Sequence, residues 1–501
     1  MKDGVAFRRA SERRPRRTAA ALTRARQRSA LRRQRGVALI LVLGALTILT
    51  VMLTESQDES AADFASALTT RDQLIAEYAA KSGVNLARLL IATEPTIRKA
   101  MAPVLMLLMQ GAPPQIPVWD HANRVLGAFN DSTGKAAFAS LSGMDTRNGK
   151  NLGFDGAGFE LDIIDEDSKI NINAPAHAQA IAKRNLGSQL AGLMAGPQYD
   201  ALFQQRDADN QFSDRLAICG AIIDFIDPDQ DADQSFCDPA NPTAQTTGTE
   251  DGFYQQLPRP YERKNAALDS FDELHRIRGM SENFWSTFIE PDPDDPTKRV
   301  VTVWGQGKVN VNTANPQTIL ALICSNANPQ TTLVCHDQVE AMKFLSAFGM
   351  VRMFTKGAPM FGTPDVFISA LQGKTMLGTM FAAIGLQPIQ IVNTGPLKEQ
   401  ISTESKVFSI YATGRVQSGS RETLTKLHAV VDFRAAPPPG MPPSALQAAN
   451  LMQAQATMQN AAATPSTAGS AGTGAPNAVQ MAIQSVMKPS PGGTIIYFRV
   501  D

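Results

Sequence analysis

Clustered acidic residues in the middle of this chain could bind a hard metal ion. They are Asp224, Asp227, Asp229, Asp231, Asp233, Glu250 and Asp251. Calcium takes about six to eight oxygen ligands, and neighbouring carboxylates repel one another unless a cation neutralises them. The spacing is not that of an EF-hand, because counting from Asp229 puts Gln234 where that loop requires glycine. A solvated acidic loop is the alternative interpretation.

The cysteines fall into two local pairs, Cys219 with Cys237 and Cys324 with Cys335. Closing each of these short loops would stabilise the fold by about 3 kcal/mol through restriction of the unfolded chain. Outside the cytoplasm we expect disulfides, although other pairings and four free buried thiols remain alternatives. Zinc is disfavoured because the sequence has no Cys-x-x-Cys and its histidines are scattered.

Catalytic motifs are missing from the sequence. It contains no Gly-x-Ser-x-Gly, no His-Glu-x-x-His and no Walker A loop, since the GQGK of residues 305–308 is followed by Val309. We therefore expect a protein that is not an enzyme.

Charge is distributed unevenly along the chain. Residues 1–36 hold thirteen basic and two acidic groups, a net of +11, which leaves a net of −11 on the rest of a neutral chain. The acidic body argues against nucleic acid as a partner.

Nineteen uncharged positions, 36–54, follow this basic segment. As a helix they would span roughly 28 Å, close to the thickness of the hydrocarbon core of a bilayer. Basic residues stay on the cytoplasmic side, so the rest of the chain is expected beyond the membrane. A cleaved signal peptide is the alternative, but the segment has no Ala-x-Ala exit.

Periodicity predicts the other elements. A helix should run from 37 without a proline until Pro95 ends it. Short helices are predicted at 179–194, 215–226, 317–324, 339–348 and 364–371. Strands are predicted at 407–416 and 422–433, as a hairpin, and at 494–500. Residues 435–493 have the composition of a disordered excursion.

The amino-terminal segment resembles a prepilin processing site, where a peptidase cuts after a glycine and methylates the new terminus. Here the cut would fall after Gly36 and the methylated residue would be Val37. In that family the fifth mature residue is usually glutamate, which neutralises the terminal ammonium of a neighbouring subunit, whereas here it is Leu41. A subunit at the end of a filament could do without that carboxylate.

In its size and in lacking this glutamate, the chain resembles minor pseudopilin K of type II secretion systems. Three later stretches carry the same resemblance: FELDIIDEDSKININ at 159–173, IDFIDPD at 223–229 with EDGFY at 250–254 and FDEL at 271–274, and KVNVNTA at 308–314. The last stretch also looks like the start of a helix-hairpin-helix DNA-binding unit. No Gly-x-Gly hairpin follows it, so we expect Asn312 or Thr313 to cap the next helix.

The resemblance implies an α+β fold with a pilin-like long N-terminal helix, an antiparallel sheet and a large inserted all-α subdomain, SAM-like or helix-hairpin-helix-like. The implied regions are a leader (1–36), a transmembrane and stem helix (37–95), a pilin-like region with the first strand (96–169), the α subdomain (170–395), a β-hairpin (396–434), the excursion (435–493) and a final strand (494–501).

The resemblance also implies a function. The protein would cap the tip of the type II secretion pseudopilus and help initiate its assembly for export across the outer membrane. It would be a single-pass protein of the bacterial inner membrane with most of the chain in the periplasm. Expected partners are prepilin peptidase, the major pseudopilin, and minor pseudopilins I and J, with H as a further candidate.

Family members bind calcium in what looks like the corresponding region. The resemblance therefore implies calcium ligands among Asp227, Asp229, Asp231, Asp233, Glu250 and Asp251. Two alternatives remain for the whole protein: a helix-hairpin-helix DNA-binding membrane protein of a competence system, and a membrane-anchored periplasmic hydrolase.

Overall fold

The computed structural model describes residues 18–109, 112–127, 130, 156–177, 179–204, 206, 212–238, 251–328, 331–355, 357–383, 385–391, 394–437 and 490–501. Residues 1–17, Glu250 and most of the predicted excursion, 438–489, lie outside this part of the chain. The chain divides into two compact units, Met1–Asp72 and Gln73–Asp501.

The first unit contains the beginning of a long helix, α1 (Thr18–Met109). Large apolar side chains between 37 and 53 are exposed, and this stretch lies in a segment long and apolar enough to cross a membrane. Hydroxyl groups of Thr47, Thr50 and Thr54 donate to helix carbonyls about one turn back, at 2.7–2.8 Å. Because these hydroxyls are satisfied without water, they can be accommodated in lipid. The segment fits the predicted single-pass anchor.

The helix α1 does not end before Pro95, so that prediction was wrong. A proline inside a helix loses one hydrogen bond and crowds the preceding turn, at a cost of about 3 kcal/mol. Here Glu94 is buried, accepts the N–H of Ile116 at 2.9 Å and pairs with Arg98 at 3.3 Å. Arg98 also pairs with Glu404. These contacts attach both sides of the proline to other segments of the second unit and offset the local cost.

A four-stranded antiparallel sheet forms the base of the second unit. Its strands, in spatial order, are β1 (Ala157–Asp165), β6 (Val407–Ser418), β7 (Arg421–Asp432) and β8 (Thr494–Val500). The predicted hairpin and final strand are present, and Gly419 takes the positive φ of 65° in the turn between β6 and β7. Leu161 of β1, Ala412 of β6 and Leu427 of β7 lie opposite one another, which places them on the same sheet face.

The second-unit part of α1 packs on that face through small and branched side chains. They are Ala76, Ala80, Val84, Ala87 and Ile91, all buried. The small residues let the backbones approach closely: a Cβ added at Gly414 of β6 would lie 1.8 Å from the carbonyl oxygen of Ala76. Arg88 donates to the carbonyls of Gly492 and Gly493 at 2.7 and 2.8 Å, which attaches the start of β8 to α1.

Most helices are inserted between β1 and β6. The helix α2 (Ala122–Leu126) precedes β1, and the inserted helices are α3 (Ala180–Met194), α4 (Asp200–Phe203), α5 (Arg215–Ile226), α6 (Gly252–Gln255), α7 (Glu282–Phe284), α8 (Pro316–Asn326), α9 (Leu333–His336), α10 (Gln338–Phe354), α11 (Pro364–Leu371), α12 (Met376–Ala383) and α13 (Thr394–Gln400). They share one apolar core that includes Phe288, Phe348 and Phe361. The helices predicted from periodicity occur at their expected positions, and α10 extends beyond residue 348.

The resemblance implied an all-α insertion, and this prediction was wrong. The inserted region also contains two parallel ladders: β2 (Ile170–Asn171) pairs with β3 (Val301–Thr302), and β4 (Val309–Asn310) pairs with β5 (Ile401–Ser402). Strands of this length are too short to show a two-residue period.

Each ladder starts in a Lys-x-Asn-x-Asn motif whose last asparagine joins separate segments. The Asn173 amide donates to Val303 at 2.6 Å and to Leu268 at 2.9 Å, and its oxygen accepts the N–H of Leu268. Asn312 likewise donates to Phe361 and accepts the N–H groups of Met360 and Phe361 at 3.0 and 2.9 Å.

Neither Asn312 nor Thr313 caps α8, so that prediction was wrong. Asn315 caps it by accepting the N–H of Thr318 at 2.8 Å, and Pro316 follows at the first helical position. The amide of Asn312 is occupied by the loop at Phe361, which leaves capping to the later asparagine.

Both predicted disulfides are present. Cys219 is bonded to Cys237 and Cys324 to Cys335, with Cα–Cα distances of 6.0 and 5.5 Å. The first bond joins α5 to the end of the acidic loop and so limits the conformations of that loop.

Candidate cation-binding site

The acidic loop begins where the buried helix α5 ends. Asp214 caps the start of α5 by accepting the N–H of Ala217 at 2.8 Å. Asp227 is the residue after its last turn, with its N–H still bonded to Ile223, and Pro228 prevents the helix from continuing. Because the helix delivers Asp227 directly from the core, this carboxylate is 0% exposed.

Two further carboxylates of the loop lie close to the carboxylate of Asp227. Oxygens of Asp227, Asp229 and Asp233 all lie within 4.8 Å of one another, and we call these residues the aspartate triad. Asp229 is half-exposed and accepts the N–H of Asp231 at 3.1 Å. Asp233 is buried, and its N–H donates to Asp224 at 2.9 Å. The loop therefore converges on one buried point.

The ammonium of Lys183, from α3, lies at that point. Its Nζ is 2.5 Å from Oδ2 of Asp227, 2.5 Å from Oδ2 of Asp229 and 2.7 Å from Oδ2 of Asp233. A lysine ammonium has three N–H donors, so it can give one hydrogen bond to each carboxylate.

The pKa values of Asp227 and Asp229 are shifted in opposite directions. Burial, followed by the facing Asp233 carboxyl, raises the pKa of Asp227 to about 7. Burial also acts to raise the pKa of Asp229, but hydrogen bonds from Lys183 and Asp231 outweigh it and lower that pKa. For Lys183, burial opposes protonation, and its three carboxylate partners outweigh burial and raise its pKa. The ammonium is thus fixed in its charged form.

A second cation lies beside the triad. Arg263 has a buried guanidinium that donates to the backbone carbonyl of Asp224 and pairs with Asp251 at 2.8 Å. Burial raises the pKa of the Asp224 carboxyl to about 7. Arg263 therefore joins the α5 end of the loop to the segment that follows residue 250.

The structure brings together three of the six predicted ligands. Asp231 is exposed and contributes its N–H, not its carboxylate, to the triad. Asp251 pairs with Arg263, and Glu250 lies outside the described residues. Ion binding by these residues remains a prediction.

Sequence reasoning missed Lys183. It precedes Asp229 by 46 positions, and no local spacing connects the two. The one sequence signal for Lys183 is that a basic residue lies close to apolar residues of the same helix, Leu186 and Leu190, which are buried.

A further buried acidic group, in the 159–173 motif, has a structural role. Asp167 accepts N–H groups of Gln306 at 2.7 Å, Lys406 at 2.6 Å and Val407 at 3.1 Å. It therefore joins the segment after β1 to the middle of the insertion and to its end at β6. Burial raises the pKa of Asp165 to about 6, and burial together with the charge of Asp165 raises that of Asp167 to about 7.

The aspartate triad has the chemistry of a hard-cation site. Carboxylate oxygens are the donors that calcium prefers, and backbone carbonyls or water usually complete its coordination. The donor set fits such an ion, although Lys183 provides a positive charge at the same point.

A family model that matches part of the chain agrees with the resemblance noted in the sequence. Residues 168–288 match the family model described as type II secretion system protein K. A comparison with curated proteins finds no match. Among solved structures, the crystal structure of the GspK-GspI-GspJ complex from the type 2 secretion system of enterotoxigenic Escherichia coli is similar, with 17% identity over 55% of this chain and 75% of that chain, and a TM-score of 0.32.

The matched residues include α3, α5, the aspartate triad and Lys183. Over these residues the chain is similar to the type II secretion system protein K family.

Proposed function

We propose that this minor pseudopilin caps the tip of the type II secretion pseudopilus and helps initiate its assembly for export across the outer membrane. The observation that carries the proposal is the large helical insertion between two neighbouring strands, β1 and β6. An insertion of this size would block a further subunit from stacking above.

The amino-terminal residues support an end position in the filament. Cleavage after Gly36 would remove the basic leader and leave Val37 as the new terminus, with the exposed apolar segment as membrane anchor. Leu41 then stands where a filament-forming subunit would need a carboxylate. A subunit with no neighbour above it has no terminal ammonium to neutralise.

The proposed partners follow from this position. Prepilin peptidase would process the chain in the inner membrane, and minor pseudopilins I and J would bind its helix, with H and the major pseudopilin below them. The solved complex in the comparison contains GspK with GspI and GspJ. The match of residues 168–288 to a secretion-system family favours this role over DNA binding or hydrolysis.

Calcium is the ion we propose for the aspartate triad. Supporting this are three converging carboxylates, two of them buried, that form an oxygen-only donor set. Bound there, calcium would neutralise the loop and hold its ends together.

Mass spectrometry of the purified amino terminus tests the processing step. In cells with prepilin peptidase we expect a chain that starts at methylated Val37, and Gly36→Val should leave it uncut. Gly44→Ala is a matched control, because Gly44 lies in the same helix with nothing within 4 Å of an added Cβ. An intact leader or a cut elsewhere would contradict the proposal.

A further inference from the structure

The position of Lys183 raises the question of how a metal ion could enter the triad at all. Its side chain is 6% exposed and is in contact with all three carboxylates. The carboxylate oxygens lie within 4.8 Å of one another, which leaves one central position for a cation. Calcium–oxygen distances of about 2.3–2.6 Å nearly equal the 2.5–2.7 Å contacts of the Lys183 ammonium. An ion and the ammonium would therefore compete for the same place.

The charges of the triad are compatible with two states, one with the Lys183 ammonium bound and one with a metal ion bound. When Asp227 is ionised, three carboxylates around one ammonium leave two negative charges without a contacting cation. Asp227 is 0% exposed, so water solvates this excess poorly. Its Oδ1 has no hydrogen-bond donor among the residues that the structure describes. A single ammonium thus holds the loop but does not neutralise it, whereas a divalent cation would neutralise more of the charge.

Lys183 also has a route out of the site. It lies in the first turn of α3, and Gln179, Ala180 and Ile181 beside it are exposed. Its charge is carried on a flexible four-carbon stem. Displacement by an ion would require only rotation about that stem toward these exposed residues, with α3 remaining folded.

We propose that Lys183 is a built-in counter-ion that holds the acidic loop together in the metal-free protein and that calcium binds by displacing it. This rests on the proposed calcium site. Lys183 then sets the calcium affinity: it weakens binding by competition and makes the loop less dependent on calcium for its structure.

Calcium titration of the full-length protein in detergent tests the proposal, with calorimetry for affinity and thermal unfolding for stability. For Lys183→Met we expect calcium affinity to rise by about tenfold or more, because the competing charge is gone. Its melting temperature in chelator should fall below that of the wild type, and calcium should restore it. Arg184→Met, on the same helix, is the matched control and should behave like the wild type in both measurements.

Two negative results of this titration would lead to different conclusions. Wild-type binding with no gain in Lys183→Met would overturn the competition but leave the calcium site in place. Calcium binding to neither protein would overturn the calcium site and the competition together, while the processing experiment on Gly36 would be unaffected.

A second variant keeps the test valid if Lys183→Met does not fold without calcium. Asp229→Asn removes the half-exposed ligand and leaves the buried pair of the triad in place. We expect it to bind calcium about tenfold more weakly than the wild type. Unchanged affinity in Asp229→Asn would show that calcium binds elsewhere and would overturn the proposal.

Discussion

Substitution of Gly414 by alanine should separate α1 from the sheet. The Cβ would lie 1.8 Å from the carbonyl oxygen of Ala76, 2.7 Å from its carbonyl carbon and 2.9 Å from the N atom of Ala80. Ordinary contact begins at 3.4 Å, so the methyl group and α1 must move apart by about 1.6 Å. All three neighbouring atoms are backbone, so no side chain can rotate to make room.

The cost should be large for one methyl group. Overpacking a tight core typically costs about 1–3 kcal/mol and occasionally more. Because the clash involves the backbones of a helix and a central strand, we expect about 3 kcal/mol or more for Gly414→Ala. The displacement would also loosen Ala80 and Val84 from the sheet.

Urea unfolding followed by circular dichroism measures this loss, and hydrogen exchange locates it. We expect a lower unfolding midpoint and faster exchange in α1 and β6, with little change in α10. Gly349→Ala is the control, because nothing lies within 4 Å of an added Cβ there and alanine favours the helix by up to about 1 kcal/mol. An unchanged midpoint for Gly414→Ala would refute the close packing of α1 on β6.

Three more predictions concern the buried polar groups and the disulfides. Asn312→Ala should lower the free energy of unfolding by about 2–4 kcal/mol, measured by urea unfolding, because it leaves buried backbone groups at Phe361 without partners; a loss below about 0.5 kcal/mol would contradict this role. In the folded state the pKa of Asp165 is about 6 and that of Asp167 about 7, both above the ordinary 3.8. The native protein therefore binds protons that the unfolded chain has released, so this contribution to stability is complete below about pH 4 and is lost as pH rises to about 7. The unfolding free energy of Asp167→Asn relative to the wild type should rise over that range, and a constant or falling difference would contradict the pKa shift. Reduction of the Cys219–Cys237 bond should cost about 3 kcal/mol in the same unfolding assay, and no change on reduction would show that the bond does not constrain the unfolded chain.

Elements with a strong local signal could be predicted from the sequence. The helix α11 and the strand β8 were predicted to the residue, because periodicity, capping residues and turn residues agree there. The disulfides were predicted because each closes a short loop.

Features that depend on distant contacts could not be predicted in this way. The helix α1 continues past Pro95 because Glu94 and Arg98 contact segments far along the chain. Asn312 has the residue type of a helix cap, but its amide is occupied by the loop at Phe361. Propensity therefore failed where a tertiary contact was worth more than the local preference.

The candidate site was predicted only in part, because one of its residues is brought there by a distant contact. Asp227, Asp229 and Asp233 are close in sequence, so their clustering could be anticipated. Their cation, Lys183, comes from another helix, and only the packing of α3 against α5 brings it there.

Gold labelling of purified pseudopilus filaments tests the tip position most directly. Antibodies against this chain, viewed by electron microscopy, should label one end of each filament, and filaments from cells without the chain should carry no label. Label at regular intervals along the shaft would contradict a capping role, because it would show that further subunits can stack above the helical insertion.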